Sequence, residues 1–295
     1  MNIQWYPGHM TKARRAMKED LKLIDLIIEL VDARVPVSSR NPDIDELGRQ
    51  KARLVLLNKA DLASDRGNDA WIRWFKSQGM EAVGLDSRSR AGLKQIQAAV
   101  LEACKEKIER DRKKGILNRP VRAMVVGIPN VGKSTFINSY AGKACAKTGN
   151  KPGVTKGNQW IRLNKSLELL DTPGILWPRF ESQEVGVHLA LIGSINDEIL
   201  DRQQLALELI GLLETRYPEV LKERYGVETG IGGDEERDSI KDSPQEAARI
   251  LEEVAKVRGC LMKGGQYDWK KAANLMLDDY RSGKLGRITL EFPPT

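Results

Sequence analysis

Residues 127–134 read G-I-P-N-V-G-K-S and fit the pattern G-x-x-x-x-G-K-[ST], in which a glycine-rich turn wraps phosphate oxygens. Glycines let backbone N–H groups converge on the phosphates, and the start of the following helix adds a favourable partial charge. Lys133 would reach the β- and γ-phosphates, and the Ser134 hydroxyl would ligate magnesium. An apolar run at residues 121–126 leads into the turn, which favours a phosphate site over a plain strand–helix turn. The residues expected to contact nucleotide here are Asn130, Val131, Gly132, Lys133, Ser134 and Thr135.

A second motif, Asp171-Thr172-Pro173-Gly174, follows another apolar run. An aspartate at the end of a buried strand beside a phosphate loop suits control of magnesium from outside its direct ligands. Gly174 would offer a backbone N–H to the γ-phosphate. A surface turn would explain these four residues alone, since proline and glycine dominate turns, but the phosphate loop upstream favours the binding interpretation.

The polar segment 148–155 lies between these two motifs and contains two glycines and a proline. We expect it to be a mobile loop. Thr155 is the candidate for a second magnesium-binding hydroxyl, which would close on the metal only when a γ-phosphate is present. Thr155 and Gly174 are therefore the residues expected to respond to the third phosphate.

The base-recognition candidate is Asn58-Lys59-Ala60-Asp61, at the end of an apolar strand. A carboxylate at Asp61 can accept hydrogen bonds from both N1–H and the exocyclic amine of guanine, a donor pair that adenine lacks. The four-residue pattern alone is common in loops that start helices. Ser87-Arg88, at the end of another predicted strand, strengthens it, because a backbone N–H near Ser87 would contact the guanine oxygen. GTP or GDP with magnesium is the cofactor set expected.

Alternating strands and helices position these motifs. The predicted strands lie at residues 26–31, 53–57, 82–85, 121–126, 159–163 and 167–170. A helix is expected over residues 92–112. This alternation predicts an α/β fold with a doubly wound, mostly parallel sheet. The last two strands are separated by only three residues, 164–166, which suggests an antiparallel hairpin.

The pattern changes after about residue 184. Leucine and isoleucine recur at helical spacing in residues 204–216, 244–256 and 269–281, with a long Gly- and acid-rich surface loop expected at 226–242. We therefore expect two domains, a nucleotide-binding domain over residues 1–184 and a smaller all-α domain over residues 185–295. Nothing in the pattern suggests a coiled coil, and a monomer is expected.

Composition excludes some classes of protein. A hydrophobic content of 41% and a charged content of 30% are typical of a soluble globular protein. No run of eighteen or more apolar residues is present, so no membrane partner is expected, and residues 1–10 do not resemble a secretory signal. Three scattered cysteines indicate free thiols in a reducing, cytoplasmic setting. The net charge of +7 raises the odds of a nucleic-acid partner, although a solvated basic surface explains it equally well.

The motif set resembles the TRAFAC-class GTPases, in an order that marks their circularly permuted group. The base motifs at 58–61 and 87 precede the phosphate loop, whereas in the usual order they follow it. The segment W-Y-P-G-H-M at 5–10, Asp32-Ala33-Arg34 and L-W-P at 176–178 narrow the resemblance to the ribosome biogenesis GTPase A family. The resemblance covers nearly the whole chain and is weakest at residues 226–242.

That resemblance implies a GTPase that binds precursors of the large ribosomal subunit in a GTP-dependent way during late assembly and is released on hydrolysis. Ribosomal RNA and ribosomal proteins would be its partners. Asn130 would help hold a potassium ion, as in similar GTPases. Basic segments at 12–18 and 105–119, with Arg281, Lys284 and Arg287, could contact RNA phosphates, although each is also explained as a solvated face.

The catalytic group is left open. In Ras-like enzymes a glutamine after D-x-x-G orients the attacking water, and Ile175 stands at that position here. Hydrolysis by the chain alone should be slow and partner-stimulated, with His9 as the candidate for orienting water. His9 could instead be structural or contact RNA. The alternative function is a signalling or metabolic NTPase whose helical domain binds protein. A nucleotide-binding module without turnover is disfavoured by the complete set of candidate magnesium-binding residues.

Overall fold

The computed structural model describes residues 17–117, 119–146, 159–172, 180, 182–228 and 244–294. These residues form two compact units. The sheet unit runs from residue 17 to 180 and includes residues 291–294, and the helical unit runs from 182 to 290. The sequence placed all of 185–295 in the helical domain, whereas the last residues of the chain group with the sheet unit.

A six-stranded sheet carries the first unit, in the order β3-β2-β1-β4-β6-β5. Its strands are β1 (Leu26–Asp32), β2 (Ala52–Asn58), β3 (Glu81–Leu85), β4 (Val121–Val126), β5 (Gln159–Arg162) and β6 (Leu167–Asp171). All neighbouring pairs are parallel except β5 with β6, which form the expected antiparallel hairpin. The predicted fold class is confirmed. Strand β1 is buried at every position, as a central parallel strand requires.

Five complete helices of the described residues flank the sheet: α1 (Pro42–Leu47), α2 (Asp65–Ser77), α3 (Leu93–Ala103), α4 (Lys105–Lys113) and α5 (Lys133–Ala141). Residues 17–20 are also helical and continue into a short 3-10 turn, Leu21–Leu23. Side-chain caps start two of the helices. The Ser64 hydroxyl accepts from the Gly67 N–H at 3.1 Å before α2, and the Asn41 side chain caps α1, whose first residue is a proline.

The direction of strand addition reverses between β1 and β4. From β1 the chain adds β2 and β3 on one side, and from β4 it builds β6 and β5 on the other. Because parallel crossovers are right-handed, helices on the two sides of this reversal cover opposite faces of the sheet. On one face, Trp71 and Phe75 of α2 pack in a cluster with Val31, Val55 and Leu57. The reversal leaves a crevice at the carboxyl ends of β1 and β4, where open α/β sheets bind ligands.

The helical unit contains α6 (Gln183–Leu191), a 3-10 turn (Asp197–Ile199), α7 (Arg202–Arg216), α8 (Pro218–Tyr225), α9 (Pro244–Val257) and α10 (Trp269–Ser282). Helices α7, α9 and α10 pack on one another through a fully buried apolar core that includes Leu209, Ile250 and Met276. Among the helices of both units described here, none is long and apolar enough to cross a membrane.

Arg281, near the end of α10, connects that helix to the end of α6. Its guanidinium donates to the carbonyl oxygens of Ala190 at 2.8 Å and Leu191 at 3.0 Å, and pairs with Asp197 at 2.7 Å. A cation at the last carbonyls of α6 also complements the helix dipole. The sequence offered Arg281 both as a candidate contact to RNA phosphates and as a solvated basic residue, whereas in the structure its guanidinium donors bond within the fold.

Candidate nucleotide-binding site

The motif loops meet at one edge of the sheet. Asp32, Asn58 and Leu85 end β1, β2 and β3 and lie side by side in register, and Asp171 ends β6 opposite Val125 of β4. Because carboxyl ends of parallel strands share an edge, the order of the motifs along the chain does not affect where they meet. Base and phosphate motifs therefore converge although the base motifs come first.

The phosphate loop connects β4 to α5 through backbone conformations that need glycine. Gly127 has φ of 154° and Gly132 has φ of 99°. A side-chain carbon at Gly127 would lie 2.6 Å from the carbonyl oxygen of Leu30, and one at Gly132 would clash with the side-chain amide of Asn58. Asn130 adopts φ of 60°, in the left-handed region that asparagine tolerates. Among the described residues no side chain caps the start of α5, so its first N–H groups are available to an anion.

Lys133 begins α5 and points back across the loop. Its ammonium donates to the carbonyl oxygens of Gly127 at 2.8 Å and Ile128 at 2.9 Å and is buried. Burial lowers the pKa of Lys133 to about 8, against the opposing attraction of Asp171. A desolvated ammonium gains more from an arriving phosphate than an exposed one would, because the low local dielectric strengthens the attraction.

Asp171 is a buried acid with unused capacity. Its Oδ1 atom has no hydrogen-bond partner among the described residues. Burial raises the pKa of Asp171, and the charge of Lys133 only partly offsets that effect. The Ser134 hydroxyl directly follows Lys133 in the sequence. This hydroxyl and the Asp171 carboxylate offer hard oxygen donors of the kind that magnesium prefers. The described residues contain no group of three or more His, Cys, Asp or Glu that could hold a metal ion. The Asp171 carboxylate and the Ser134 hydroxyl fit a bound magnesium ion chemically.

Asn58 connects three loops. Its amide nitrogen donates to the Val131 carbonyl at 2.7 Å, and its amide oxygen accepts from the Ser87 N–H at 3.2 Å and the Ser87 hydroxyl at 2.8 Å. The Ser139 hydroxyl of α5 then donates to the Ser87 carbonyl at 2.6 Å. Sequence reasoning assigned Asn58 to the nucleotide. These contacts show that it positions the loops on which nucleotide recognition depends.

The loop after β2, called the base loop below, contains Asp61, the candidate acceptor for guanine. Asp61 is largely exposed to solvent, and partial desolvation of its carboxyl, together with the neighbouring charge of Asp86, raises its pKa. Backbone N–H groups of Arg88 and Ser89 donate to Asp86 at 2.8 and 3.2 Å, which shapes the loop after β3. The Ala60 N–H donates to the Leu85 carbonyl at 3.1 Å, so the loop after β2 is fixed to the end of β3.

A buried charge cluster under the base loop was not predicted. Asp32 accepts two bonds of 2.8 Å from the Arg34 guanidinium and one of 2.9 Å from the Lys59 ammonium. Burial opposes ionisation of Asp32, but Arg34 and Lys59 outweigh it and hold the pKa of Asp32 below its usual range. Burial lowers the pKa of Lys59, and Asp32 opposes that shift. Sequence reasoning noted Asp32-Ala33-Arg34 only as a family marker. The signal available was Asp32 at the end of a largely apolar strand, followed two residues later by Arg34.

Three predicted site residues cannot be placed. His9, Thr155 and Gly174 lie outside the described residues, as does Ile175, so their roles stay predictions. Thr172, within the described part, donates its hydroxyl to the Val125 carbonyl at 2.7 Å, which ties the end of β6 to the strand that leads into the phosphate loop. Ser134 and Thr135 are partly buried at the start of α5.

Known proteins match both the sequence and the fold. A family described as 50S ribosome-binding GTPase matches residues 122–216. Ribosome biogenesis GTPase A of Bacillus cereus is 50% identical over 293 residues, which cover 99% of this chain and 95% of that protein. The GDP-bound structure of YlqF from Thermotoga maritima has a TM-score of 0.64 at 27% identity, covering 95% of this chain and 99% of that one. The GNP-bound form of the same protein has a TM-score of 0.63 at 28% identity, covering 96% and 98%.

Proposed function

The chain belongs to the ribosome biogenesis GTPase A family, and we propose that it hydrolyses GTP while assisting assembly of the large ribosomal subunit. The main support for a nucleotide site is the set of hydrogen bonds that Asn58 makes with Val131 and Ser87. These bonds join the loops after β2 and β3 to the phosphate loop. The names of the relatives favour ribosome assembly over the signalling or metabolic alternative.

In this proposal Asp61 accepts from guanine, and the backbone near Ser87 and Arg88 contacts the guanine oxygen. Residues 130–135 surround the phosphates, with Lys133 leaving the carbonyls of Gly127 and Ile128 for phosphate oxygens. Ser134 and Thr155 would ligate magnesium, and Asp171 would hold its water. Bound magnesium would neutralise charge that develops on the phosphates.

We further propose that GTP controls binding to the partner. The chain leaves the nucleotide site at Asp171 and enters the helical unit at Ser182, so the segment that senses the γ-phosphate is joined covalently to that unit. GTP would favour the binding-competent state by its contacts to Thr155 and Gly174, and hydrolysis would release the chain. The same domain arrangement with GDP and with a GTP analogue, measured by solution scattering, would contradict this.

For the chemical step, His9 would orient the attacking water, because Ile175 cannot. Asn130, whose backbone adopts φ of 60° within the phosphate loop, would help place a potassium ion that supplies positive charge between the phosphates. Hydrolysis should then be faster in potassium than in sodium buffer, and equal rates would remove the potassium proposal.

The partners would be a precursor of the large subunit with its ribosomal RNA and proteins, met by a monomeric chain in the cytoplasm. Co-sedimentation with large subunits tests this directly. We expect more chain in the pellet with a GTP analogue than with GDP, less as salt rises, and faster phosphate release when subunits are added. Equal recovery with both nucleotides, or none, would contradict the proposed function. Asp61→Asn, which replaces one of the two carboxylate acceptors for guanine with an amide donor, is the matched control and should lose this nucleotide-dependent recovery.

A further inference from the structure

A cavity of about 330 Å³ lies on one face of the sheet, away from the nucleotide loops. Its lining residues are Leu23, Arg122, Trp160, Ile161, Arg162 and Glu168. Arg122 and Glu168 stand near the amino ends of the parallel strands β4 and β6, whereas the phosphate loop follows the carboxyl end of β4. The cavity is therefore distinct from the crevice that holds GTP.

An exposed tryptophan lines the cavity. Trp160 of β5 is 44% exposed, while Ile161 beside it is buried on the opposite side of the strand. The Arg122 guanidinium lies 5.5 Å from the centre of the Trp160 ring. The indole N–H has no acceptor among the described residues. Tryptophan is enriched at binding interfaces because it offers both a large flat ring and an N–H donor.

The rim of the cavity is basic. Arg162 shares the Trp160 face of β5, and within the described part of the chain its guanidinium makes no hydrogen bond or ion pair. Arg122 reaches Glu168 only at 3.4 Å, at the long end of hydrogen-bonding distance, and its side chain is 42% exposed. Two arginines against one carboxylate leave a net positive rim. Arginine binds phosphate through its planar fork of donors and stacks on flat rings.

We propose that this cavity binds an unpaired nucleotide of RNA, with the base stacked on Trp160 and a neighbouring phosphate held by Arg162. Sheet-borne aromatic residues flanked by basic ones hold splayed bases in this way, because every base has a flat face and every linkage carries a negative charge. The cavity has room for one flat group and lies at an open sheet face, which suits a single-stranded segment better than a duplex. This inference rests on the proposed function, since the ribosomal partner supplies the RNA.

The test measures binding of a short fluorescent oligouridylate to the full-length chain. Trp160→Ala should weaken binding by about 5-fold or more, the loss that removing one stacked base produces, and Trp160→Phe should retain most of the affinity. Arg162→Ala should also weaken binding and make the affinity less sensitive to salt. Leu101→Ala, an exposed apolar position on α3, and Arg73→Ala, an exposed arginine on α2 beside β3 at the far end of the sheet, are the matched controls. Unchanged GDP affinity verifies that each variant is folded.

Two results would overturn the inference. One is wild-type and Trp160→Ala chains that bind the oligonucleotide equally or not at all. The other is a Trp160→Ala chain that loses co-sedimentation with large subunits but keeps its RNA affinity, which would assign the surface to a protein. Failure of the proposed function has a different signature, namely wild-type chain that does not co-sediment with subunits under any nucleotide, whatever the oligonucleotide assay shows.

Discussion

The side-chain amide of Asn58 donates a hydrogen bond of 2.7 Å to the carbonyl oxygen of Val131, which stands 73 residues further along the chain. Both groups are buried, so neither can turn to water when the bond breaks. The bond holds the end of β2 against the phosphate loop, and the Ser87 contacts extend it to the loop after β3. In a chain whose base motifs come before its phosphate loop, non-covalent bonds of this kind fix the geometry between the two.

Replacing Asn58 with alanine should weaken GDP and GTP by similar factors. The change leaves the Val131 carbonyl and the Ser87 donors without partners, at about 1–3 kcal/mol for each buried group. Because both nucleotides share the loops concerned, we expect at least about 10-fold lower affinity for each. Titration with a fluorescent guanine nucleotide measures both. Asn164→Ala, in the exposed β5–β6 link, is the control and should change neither. A loss confined to GTP would show that Asn58 acts at the γ-phosphate instead.

Because Lys133 loses its positive charge at alkaline pH, we expect GDP to bind less tightly there. Its pKa of about 8 in the folded chain lies below that of a free lysine, about 10.4. Between these values the unfolded chain holds more protons than the folded one, so the free energy of unfolding without nucleotide should rise with pH. Phosphate favours the ammonium form, so binding takes up a proton above pH about 8, and GDP affinity should fall as pH rises beyond it.

The Lys133→Arg variant separates this effect from ionisation of guanine itself. Arginine stays charged across the whole range, so the variant should lose the lysine contribution to both pH dependences while guanine ionises equally in both chains. Calorimetric titrations from neutral to alkaline pH provide the comparison. Identical slopes in the two chains would show that Lys133 does not titrate there.

Asp32→Asn should be among the most destabilising single changes in the sheet unit. It removes the carboxylate that pairs with the buried Arg34 guanidinium and the partly exposed Lys59 ammonium, and breaking a buried pair in this way costs about 3–5 kcal/mol. The folded-state pKa of Asp32 is depressed, so its stabilisation is complete above its unfolded pKa of about 4 and is lost as the pH falls below that value. The free energy of unfolding measured with urea should therefore change less between neutral and acid pH in the variant than in the parent.

Asp45→Asn is the control for this measurement. Asp45 also pairs with two arginines, Arg40 and Arg53, but its side chain is 54% exposed. Exposed pairs contribute under about 1 kcal/mol, so this variant should stay close to the parent. Equal losses for the two variants would mean that burial is not what makes the Asp32 cluster important.

His9→Ala should reduce turnover by about 100-fold while GTP affinity stays nearly constant, since a group that positions water acts only in the chemical step. His9→Gln should recover part of the rate, because glutamine performs this task in Ras-like enzymes. Single-turnover phosphate release and equilibrium binding separate the two quantities. Parallel losses in rate and affinity would give His9 a structural or binding role.

The sequence predicted all six strands to within about one residue at each end, because buried parallel strands are short apolar runs and the hairpin has a short link. It did not predict the break at Cys104 that divides the expected helix 92–112 into α3 and α4. No glycine or proline marks that point. The buried stripe of α3 ends there, and α4 has no buried residue, so only the packing distinguishes them.

Within the site, residue types and spacing identified the loops but not their mutual contacts. The bonds of Asn58 and the pairing of Asp32 with Lys59 join residues that end or follow different strands, and only the strand order brings those strand ends together. The same limit applies to Arg281, whose charge is visible in the sequence whereas its partners are two carbonyls some ninety residues away. Periodicity reports which face of an element is buried and is silent on which polar groups meet there.

The last residues of the chain show the limit most clearly. Glu291 lies in the sheet unit, where its carboxylate accepts from the backbone N–H of Val37 at 2.7 Å and of Ser38 at 3.1 Å, and from the Ser38 hydroxyl. Its own carbonyl accepts from the Trp71 indole at 2.8 Å. The Glu291 contacts therefore fix the turn that follows Asp32 and Arg34, close in sequence to the buried charge cluster.

Glu291→Ala should lower the free energy of unfolding of the sheet unit by about 1–3 kcal/mol, because it removes a charged acceptor from two backbone donors and a hydroxyl. Glu291→Gln keeps an acceptor oxygen and should fall between the parent and the alanine variant. Deleting residues 291–295 should cost more, since the Trp71 indole also loses its acceptor. Urea unfolding followed by tryptophan fluorescence measures all three, with Glu102→Ala, a 61% exposed acid, as the control. If the truncated chain unfolds at the same urea concentration as the parent, the terminal segment does not stabilise the sheet unit. The turn after Asp32 must then be held by its own contacts, such as the hydrogen bond that the Asp32 N–H donates to the Ser39 hydroxyl.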